Sequence, residues 1–196
     1  MLWERLIPKS YLSKSNVCGV ECVFSEAGIS YNYLILTVKK NKVEILKKGN
    51  SIDEQEILNI AKKNNAPIVL NAIGKGIILK PISLSENETL DINQLVKQYL
   101  PTINSSDFYV QFYKNDNSTG FLSICRKDQI NELVQLFSNQ KQIPVSLYIG
   151  PLVVNALAPL TKQLNFSYTS LYQLELTNGF IQKINSIDIS QTKKWK

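Results

Sequence analysis

Residues 67–73, with the sequence Pro-Ile-Val-Leu-Asn-Ala-Ile, are apolar at almost every position. A strand of this kind is buried on both faces of a sheet, and such strands are joined to their neighbours by crossover helices. A helical stripe of apolar residues precedes this strand, at Ile57, Leu58, Ile60 and Ala61. The segment 51–73 therefore predicts a helix followed by a central strand, which is typical of an α/β protein.

Three further strands are predicted before this helix, at residues 17–24, 30–39 and 43–47. Successive residues of a strand point to opposite faces of its sheet. One face of the second strand therefore carries Tyr31, Tyr33, Ile35 and Thr37. The dipeptide Lys40-Asn41 is the expected turn into the third strand. These patterns predict a three-stranded meander that leads into the helix.

The start of the helix is predicted from a capping pattern. The dipeptide Gly49-Asn50 is expected to close the preceding hairpin, and Ser51 is followed three residues later by Glu54. Ser and Glu at this spacing form a capping box, so Ser51 is the predicted N-cap. Asp53, Glu54 and Glu56 favour the positive end of the helix dipole, and we interpret them as helix-start residues rather than as a metal site.

A second α/β unit is predicted after the polar segment 83–90, which is the expected domain boundary. Its elements are a helix over 91–100, strands over 107–114 and 121–126, a helix over 127–139, a strand over 143–149 and a short helix over 152–160. The order α-β-β-α-β is that of a split ferredoxin-like arrangement. Residues 165–189 are expected to be extended, with a hairpin turn at Asn178-Gly179.

The predicted domains follow from these elements. They are a lead-in over residues 1–16, a first subdomain over 17–83, an inserted small α/β subdomain over 84–160 and a β-hairpin tail over 161–196. The tail is expected to be the start of a second half.

The complete absence of histidine excludes several kinds of site. Ser-His-Asp and Cys-His nucleophiles, histidine-ligated zinc and histidine general acid-base catalysis all require that residue. The net charge is +6, but Arg5 and Arg126 are the only arginines. Because base and phosphate recognition relies on the guanidinium fork, no nucleic-acid partner is expected.

The cysteines Cys18, Cys22 and Cys125 are too few for a disulfide scaffold or a four-ligand zinc site. Cys18 and Cys22 point to the same face of the first strand, where they are expected to be small buried hydrophobic residues. This interpretation suits a reducing cytoplasm. The first ten residues do not have the apolar core of a secretory signal, and no apolar run approaches the ~18 residues of a membrane span.

Two further segments contain residue types that also occur in binding sites. The turn Gly74-Lys75-Gly76 does not have the spacing of a phosphate-binding loop, and it is interpreted as a hairpin turn between strands 67–73 and 77–82. A second set of residues is aromatic: Phe108, Tyr109, Phe112 and Tyr113. This set is expected to pack in a core, with a base-stacking platform as the alternative. No catalytic constellation, cofactor or metal site is predicted.

One hairpin carries a run of lysines, at Lys39, Lys40, Lys42, Lys47 and Lys48. Lysines protect and solvate exposed strand edges. The functional alternative is contact with acidic lipid or an acidic partner.

Several segments resemble the cytoplasmic actin-like proteins of bacterial membrane machines, PilM of type IV pilus assembly and GspL of type II secretion. Residues 17–21, Val-Cys-Gly-Val-Glu, stand where that family has its first strand and phosphate loop, with Glu21 at the acidic position. Residues 94–101, Gln-Leu-Val-Lys-Gln-Tyr-Leu-Pro, resemble the helix end that opens its inserted subdomain. Residues 121–151 resemble the continuation, and the whole resemblance covers residues 17–160.

The resemblance implies an α/β fold with mixed sheets. Its expected architecture is an actin/ribonuclease-H-like subdomain with an inserted ferredoxin-like α/β subdomain, equivalent to the N-terminal half of the family fold. Cys22, Val23 and Phe24 replace the Gly-rich continuation of the phosphate loop, so no nucleotide cofactor is expected.

The function implied by the resemblance is a non-catalytic cytoplasmic scaffold. It would bind the cytoplasmic tail of a bitopic inner-membrane protein and couple it to an assembly ATPase. Tyr99, Leu100 and Pro101 are the predicted partner-binding residues, and the five lysines are the predicted contact with an acidic surface. The alternatives are an ATP-binding actin-like ATPase or kinase fragment and a ferredoxin-like nucleic-acid-binding module.

Overall fold

A computed structural model describes residues 16–39, 42–84, 91–115, 118–138, 142–157 and 164–187. The predicted lead-in lies outside these ranges except for Asn16, and most of the predicted boundary segment 83–90 also lies outside them. The chain divides into two compact units. Unit 1 comprises Met1–Lys75 and Asp128–Tyr148, and unit 2 comprises Gly76–Lys127 and Ile149–Lys196.

The strands are β1 (Asn16–Ser25), β2 (Gly28–Lys39), β3 (Lys42–Ser51), β4 (Ile68–Gly74), β5 (Ile77–Ser83), β6 (Phe108–Lys114), β7 (Thr119–Arg126), β8 (Ser146–Ile149), β9 (Phe166–Tyr168), β10 (Tyr172–Thr177) and β11 (Phe180–Ser186). The α-helices are α1 (Glu54–Lys63), α2 (Ile92–Tyr99) and α3 (Lys127–Ser138), and short 3₁₀ helices span Ser105–Asp107 and Gly150–Leu157.

Unit 1 is built on a five-stranded sheet with the order β3-β2-β1-β4-β8. Strands β1, β2 and β3 form an antiparallel meander, and β4 lies parallel to β1. A parallel neighbour requires a crossover connection, which α1 supplies between β3 and β4. The predicted meander, crossover helix and central strand are therefore confirmed.

One face of this sheet is buried by helices. Its buried residues on β1 and β2 alternate along the chain: Cys18, Val20, Cys22, Phe24, Tyr31, Tyr33 and Ile35. The ring of Phe137 in α3 meets the ring of Tyr31 edge-on, with centroids 6.0 Å apart. Both Cys18 and Cys22 are completely buried free thiols, so their predicted role as small core residues is confirmed.

The structure corrects the predicted start of the first helix. Asp53 is the N-cap of α1, because its side chain accepts a 2.8 Å hydrogen bond from the Gln55 N–H. Ser51 is the last residue of β3, and its hydroxyl accepts a 3.0 Å bond from the Asp53 N–H. Gly49 and Asn50 lie inside β3, where they pair with Tyr33 and Asn32. Cross-strand pairing extends the strand past the local turn signal, which displaces the cap by two residues.

Unit 2 contains two three-stranded sheets, ordered β5-β7-β6 and β11-β10-β9. One core cluster packs α2 on the first sheet through Leu95, Val96, Leu122 and Ile124. A second cluster joins Phe121 to Leu152, Val154, Leu174, Leu176 and Ile181. Phe108 and Phe112 pack against the first cluster and Tyr113 against the second, which confirms core packing for these three aromatic residues. The expectation of core packing is wrong for Tyr109, which is 40% exposed, with Lys127 Nζ 5.8 Å from its ring centroid.

Two strands join other sheets than the sequence predicts. β8, predicted as part of the ferredoxin-like unit, is the edge neighbour of β4 in unit 1. β5, predicted as part of the first subdomain and as a hairpin partner of β4, pairs antiparallel with β7 in unit 2. Gly74 and Gly76 have positive φ, so the turn itself is confirmed while the hairpin is wrong. Long-range pairing is invisible to local patterns, and it also makes the compact units differ from the predicted subdomain boundaries.

The predicted hairpin at Asn178-Gly179 is confirmed as the turn between β10 and β11. Both residues have positive φ, 54° and 85°. This conformation is required by the tight turns that match the twist of two antiparallel strands. The predicted helix over 152–160 begins earlier, at Gly150, and is a 3₁₀ helix as far as Leu157.

Candidate functional site

A groove of about 380 Å³ opens on unit 2. Its lining comes from four strands, with β5 and β11 contributing most of it: Ile77, Leu79, Pro81, Phe121, Tyr172, Gln182, Lys183, Ile184 and Ser186. Groove volumes of roughly 300–1,000 Å³ are typical of ligand sites. The lining is mainly apolar, with polar groups at Gln182, Lys183 and Ser186, as expected for a site that holds side chains rather than ions.

The wall from β5 follows from strand geometry. Residues Ile77, Leu79 and Pro81 are spaced by two, so their side chains lie on the same face. Their cross-strand neighbours on β7 are Cys125, Ser123 and Phe121. Phe121 is shared with the second core cluster, so the groove is continuous with a well-packed interior.

Both long walls of the groove are edge strands. In the described part of the chain, β5 is the end of the order β5-β7-β6 and β11 is the end of the order β11-β10-β9. Pro81 fits this position, because proline has no N–H to donate and is confined to sheet edges. Edge strands present backbone N–H and C=O groups that an added strand pairs with.

The polar part of the groove lies on β10 and β11. Lys183 Nζ lies 3.7 Å from Glu175 Oε1, and the two side chains are 63% and 41% exposed. Such an exposed pair is screened by solvent and contributes little to stability. Burial raises the pKa of the Tyr172 hydroxyl, which therefore stays neutral and can donate a hydrogen bond.

The position of Leu79 is set by the chain around Gly150. Gly150 has a φ of +75°, and a Cβ there would lie 2.6 Å from Ser123 Oγ and 2.8 Å from Leu79 Cδ2. Ile149 N–H, one residue earlier, donates a 2.7 Å bond to Gln111 Oε1. The glycine lets the backbone approach the sheet closely, and the approach packs Leu79 from one side.

The predicted partner-binding residues Tyr99, Leu100 and Pro101 lie at the end of α2 and do not line the groove. The Tyr99 hydroxyl donates a 2.5 Å bond to the Ser83 carbonyl and accepts a 3.0 Å bond from the Ser83 N–H. Tyr99 and Leu100 also pack against the first core cluster, whereas Pro101 is exposed. The structure gives Tyr99 and Leu100 an architectural role, and partner binding by the three residues stays a prediction.

The predicted lysine surface lies on the hairpin of β2 and β3. Lys47 and Lys48 are exposed, and Lys47 Nζ lies 5.8 Å from the centroid of the Tyr33 ring. Lys40 and the side chains of Lys39 and Lys42 lie outside the described residues. The contact with an acidic surface stays a prediction.

The segment at the family's phosphate-loop position is regular strand. Glu21 lies within β1, opposite Asn32 on β2 and Asn71 on β4. Its Oε2 accepts a 3.2 Å bond from Asn32 Nδ2, and Asn71 Oδ1 is buried without a hydrogen-bond partner in the described part of the chain. The next residues, Cys22 to Phe24, continue the pairing of β1 with both neighbours.

No group of three or more Cys, Asp or Glu side chains among the described residues is arranged to hold a metal ion. Burial raises the pKa of the Cys18 thiol to about 11, and the pKa of Cys22 is also raised by burial and by the neighbouring Glu21. Both thiols therefore stay protonated at neutral pH, which makes them poor nucleophiles. Within the described ranges, no helix is long and apolar enough to cross a membrane.

The sequence did not predict the groove, because its two walls come from segments about 100 residues apart. Sequence patterns report on windows of only about 11–18 residues. One local signal was present. Pro81 in an otherwise strand-like segment marks an edge strand, and an edge with apolar residues spaced by two is a candidate for strand addition. The other wall, β11, was predicted only as one strand of the hairpin at Asn178-Gly179.

No protein-family model and no curated protein sequence matches the chain. Solved structures do match. The cytoplasmic domain of EpsL, an inner membrane component of the type II secretion system of Vibrio cholerae, is 10% identical over 89% of this chain and 71% of that chain, with a TM-score of 0.57. The PilM–PilN type IV pilus biogenesis complex is 12% identical over 86% of this chain, with a TM-score of 0.61.

The chain has an actin-like fold. The predicted α/β fold class and the predicted resemblance to type II secretion and type IV pilus proteins are thereby confirmed. At these identities the likeness concerns the fold alone. The chain spans 60% of the matched chain of the PilM–PilN complex.

Proposed function

We propose that the protein is a non-catalytic scaffold of a pilus or type II secretion platform. It binds a short cytoplasmic segment of a membrane-anchored partner at the inner face of the inner membrane and couples that partner to an assembly ATPase. The observation that carries this proposal is the groove between the edge strands β5 and β11, with its apolar wall of Ile77, Leu79 and Pro81.

The choice of partner is supported by the fold neighbours. EpsL is described as an inner membrane component, and PilM is described in a complex with PilN. A partner segment of the size of a peptide suits the groove, whose volume of about 380 Å³ holds a few side chains. An extended segment would add main-chain hydrogen bonds along β5 or β11 and place alternate side chains in the apolar part.

The proposal is tested by affinity capture from an envelope extract of the host, followed by measurement with the tail peptide of the captured protein. The expected protein has one membrane span and a short cytoplasmic tail. Leu79→Asp places a charge against that tail, so we expect its affinity to fall by about tenfold or more. Fluorescence anisotropy with the labelled peptide measures this affinity.

The matched control is Ile78→Asp, which adds the same charge on the opposite face of β5, at a side chain that is 38% exposed. We expect it to bind the peptide within about twofold of the wild type. Ile184→Asp, on the other wall, is expected to weaken binding as Leu79→Asp does. Equal binding by all four proteins, with circular dichroism showing that each is folded, would reject the groove as the site.

The non-catalytic part of the proposal has its own test. The phosphate-loop position is occupied by paired strand, so we expect Mg-ATP to leave the melting temperature unchanged. A ligand at a hundred times its dissociation constant would stabilise the protein by about 2.7 kcal/mol. An upward shift of the melting temperature with Mg-ATP, measured by differential scanning fluorimetry, would favour an ATP-binding ATPase or kinase fragment instead.

A further inference from the structure

The hairpin of β2 and β3 exposes bulky aliphatic side chains beside lysines. β3 is an edge strand of the five-stranded sheet. Val43 and Ile45 are each 61% exposed and Leu46 is 44% exposed, and Lys47 and Lys48 follow directly. Single exposed aliphatic residues are ordinary on protein surfaces, but adjacent ones in a charged setting mark an interaction surface. We refer to Val43, Ile45, Leu46 and Lys48 as the hairpin patch.

The pairing of the strands places much of the hairpin patch on one face. Val43, Ile45 and Lys48 oppose Val38, Leu36 and Leu34, which alternate along β2. A bulge at Leu46 shifts the register between Ile35 and Leu36, so that Leu46 is the extra residue of β3. Val43 and Ile45 therefore continue the half-buried apolar surface of Leu34 and Leu36, and Lys48 lies beside them. Lys47 pairs with Ile35 and lies on the other face of the hairpin, near the Tyr33 ring.

The charge of this hairpin is strongly positive. Residues 39–48 contain five lysines and a single acidic residue, Glu44. The surroundings of Ile52, just after the other end of β3, are negatively charged instead. Ile52 is 85% exposed and is followed by Asp53, Glu54 and Glu56. An apolar side chain is thus exposed in both places, but it is surrounded by positive charge only in the hairpin patch.

We propose that the hairpin patch binds the surface of an anionic lipid bilayer. Val43, Ile45 and Leu46 enter the headgroup region, where burial of apolar surface is favourable, and the lysine ammonium groups contact the lipid phosphates. Lysine suits this contact because its ammonium group is a compact charge on a flexible side chain. A carboxylate on a protein partner would be bound best by the planar guanidinium group of arginine, which forms two parallel hydrogen bonds. The inference does not depend on the groove of unit 2.

The test is co-sedimentation of the full chain with vesicles of phosphatidylcholine, with and without about one third phosphatidylglycerol. We expect binding to the anionic vesicles alone, and loss of that binding at about 0.5 M salt, where charges are screened over a few ångströms. Each lysine near such a surface changes affinity by about fivefold, so Lys48→Gln is expected to weaken binding by about that factor. Ile45→Ser is expected to weaken it by about fivefold.

Two matched controls separate the hairpin patch from general charge and general exposure. Lys63→Gln removes the same charge from the exposed end of α1, and Ile52→Ser removes an exposed aliphatic side chain beside acidic residues. Both are expected to bind anionic vesicles as the wild type does. Absence of binding to anionic vesicles, or an equal loss in Lys63→Gln, would overturn the proposal. Binding of a polyglutamate peptide that depends on Lys48, with no effect of Ile45→Ser on vesicles, would assign Lys48 to an acidic protein and would also overturn it.

Discussion

Gly74→Ala is expected to lower the free energy of unfolding by about 3 kcal/mol. Gly74 ends β4 with a φ of +101°, a conformation that residues with a Cβ rarely adopt. The added methyl group would also collide with the backbone carbonyl oxygen of Phe24 on the paired strand β1, which is fixed by sheet hydrogen bonds and cannot move aside. The same carbonyl accepts a 3.0 Å bond from the Lys75 N–H, so the clash falls on an ordered turn.

Gly28→Ala is the matched control for this effect. Gly28 also has a positive φ, +118°, but a Cβ there meets no atom within 4 Å. It therefore reports the backbone strain alone, and we expect a loss of about 1–2 kcal/mol. Urea unfolding followed by circular dichroism measures both variants. Equal losses at the two positions would show that the approach of Gly74 to Phe24 contributes nothing.

Phe137→Ala is expected to lower the free energy of unfolding by about 3–5 kcal/mol. The side chain is completely buried, and its ring meets Tyr31 at an interplanar angle of 81°. Truncation removes the apolar burial of the ring, leaves a cavity beneath α3 and deletes an edge-to-face aromatic contact. Because Tyr31 lies on β2, the substitution weakens the packing of α3 on the sheet.

Two further variants of α3 serve as controls for this prediction. Phe137→Leu keeps much of the volume, so we expect about a third of the loss. Gln135→Ala lies on the exposed side of α3 and is expected to change stability by less than about 0.5 kcal/mol. A loss below about 1 kcal/mol for Phe137→Ala in urea unfolding would contradict the packing of α3 on this sheet.

Several elements were predictable because each is decided by neighbours in the chain. The alternation along β2 predicted that Tyr31, Tyr33 and Ile35 share one face, and the structure buries all three. The helix cap was wrong by two residues, since pairing of Gly49 and Asn50 with β2 extended β3. The turn at Gly74 was predicted, but the sheet that β5 joins after it was not. A pair of glycines indicates that the chain turns, but it does not indicate which strand the next segment pairs with.

The sequence alone determined the fold class, the order of nearly all elements, the burial of Cys18 and Cys22 and the turn at Asn178-Gly179, because periodicity and turn chemistry act over a few residues. It also determined the positive charge of residues 39–48. Only the tertiary structure decided that β8 joins β4, that β5 joins β7 and that β5 and β11 flank a groove. It also decided that Val43 and Ile45 stand exposed beside Lys48. Strand pairing over long separations depends on the total surface buried in each sheet, which no local pattern contains.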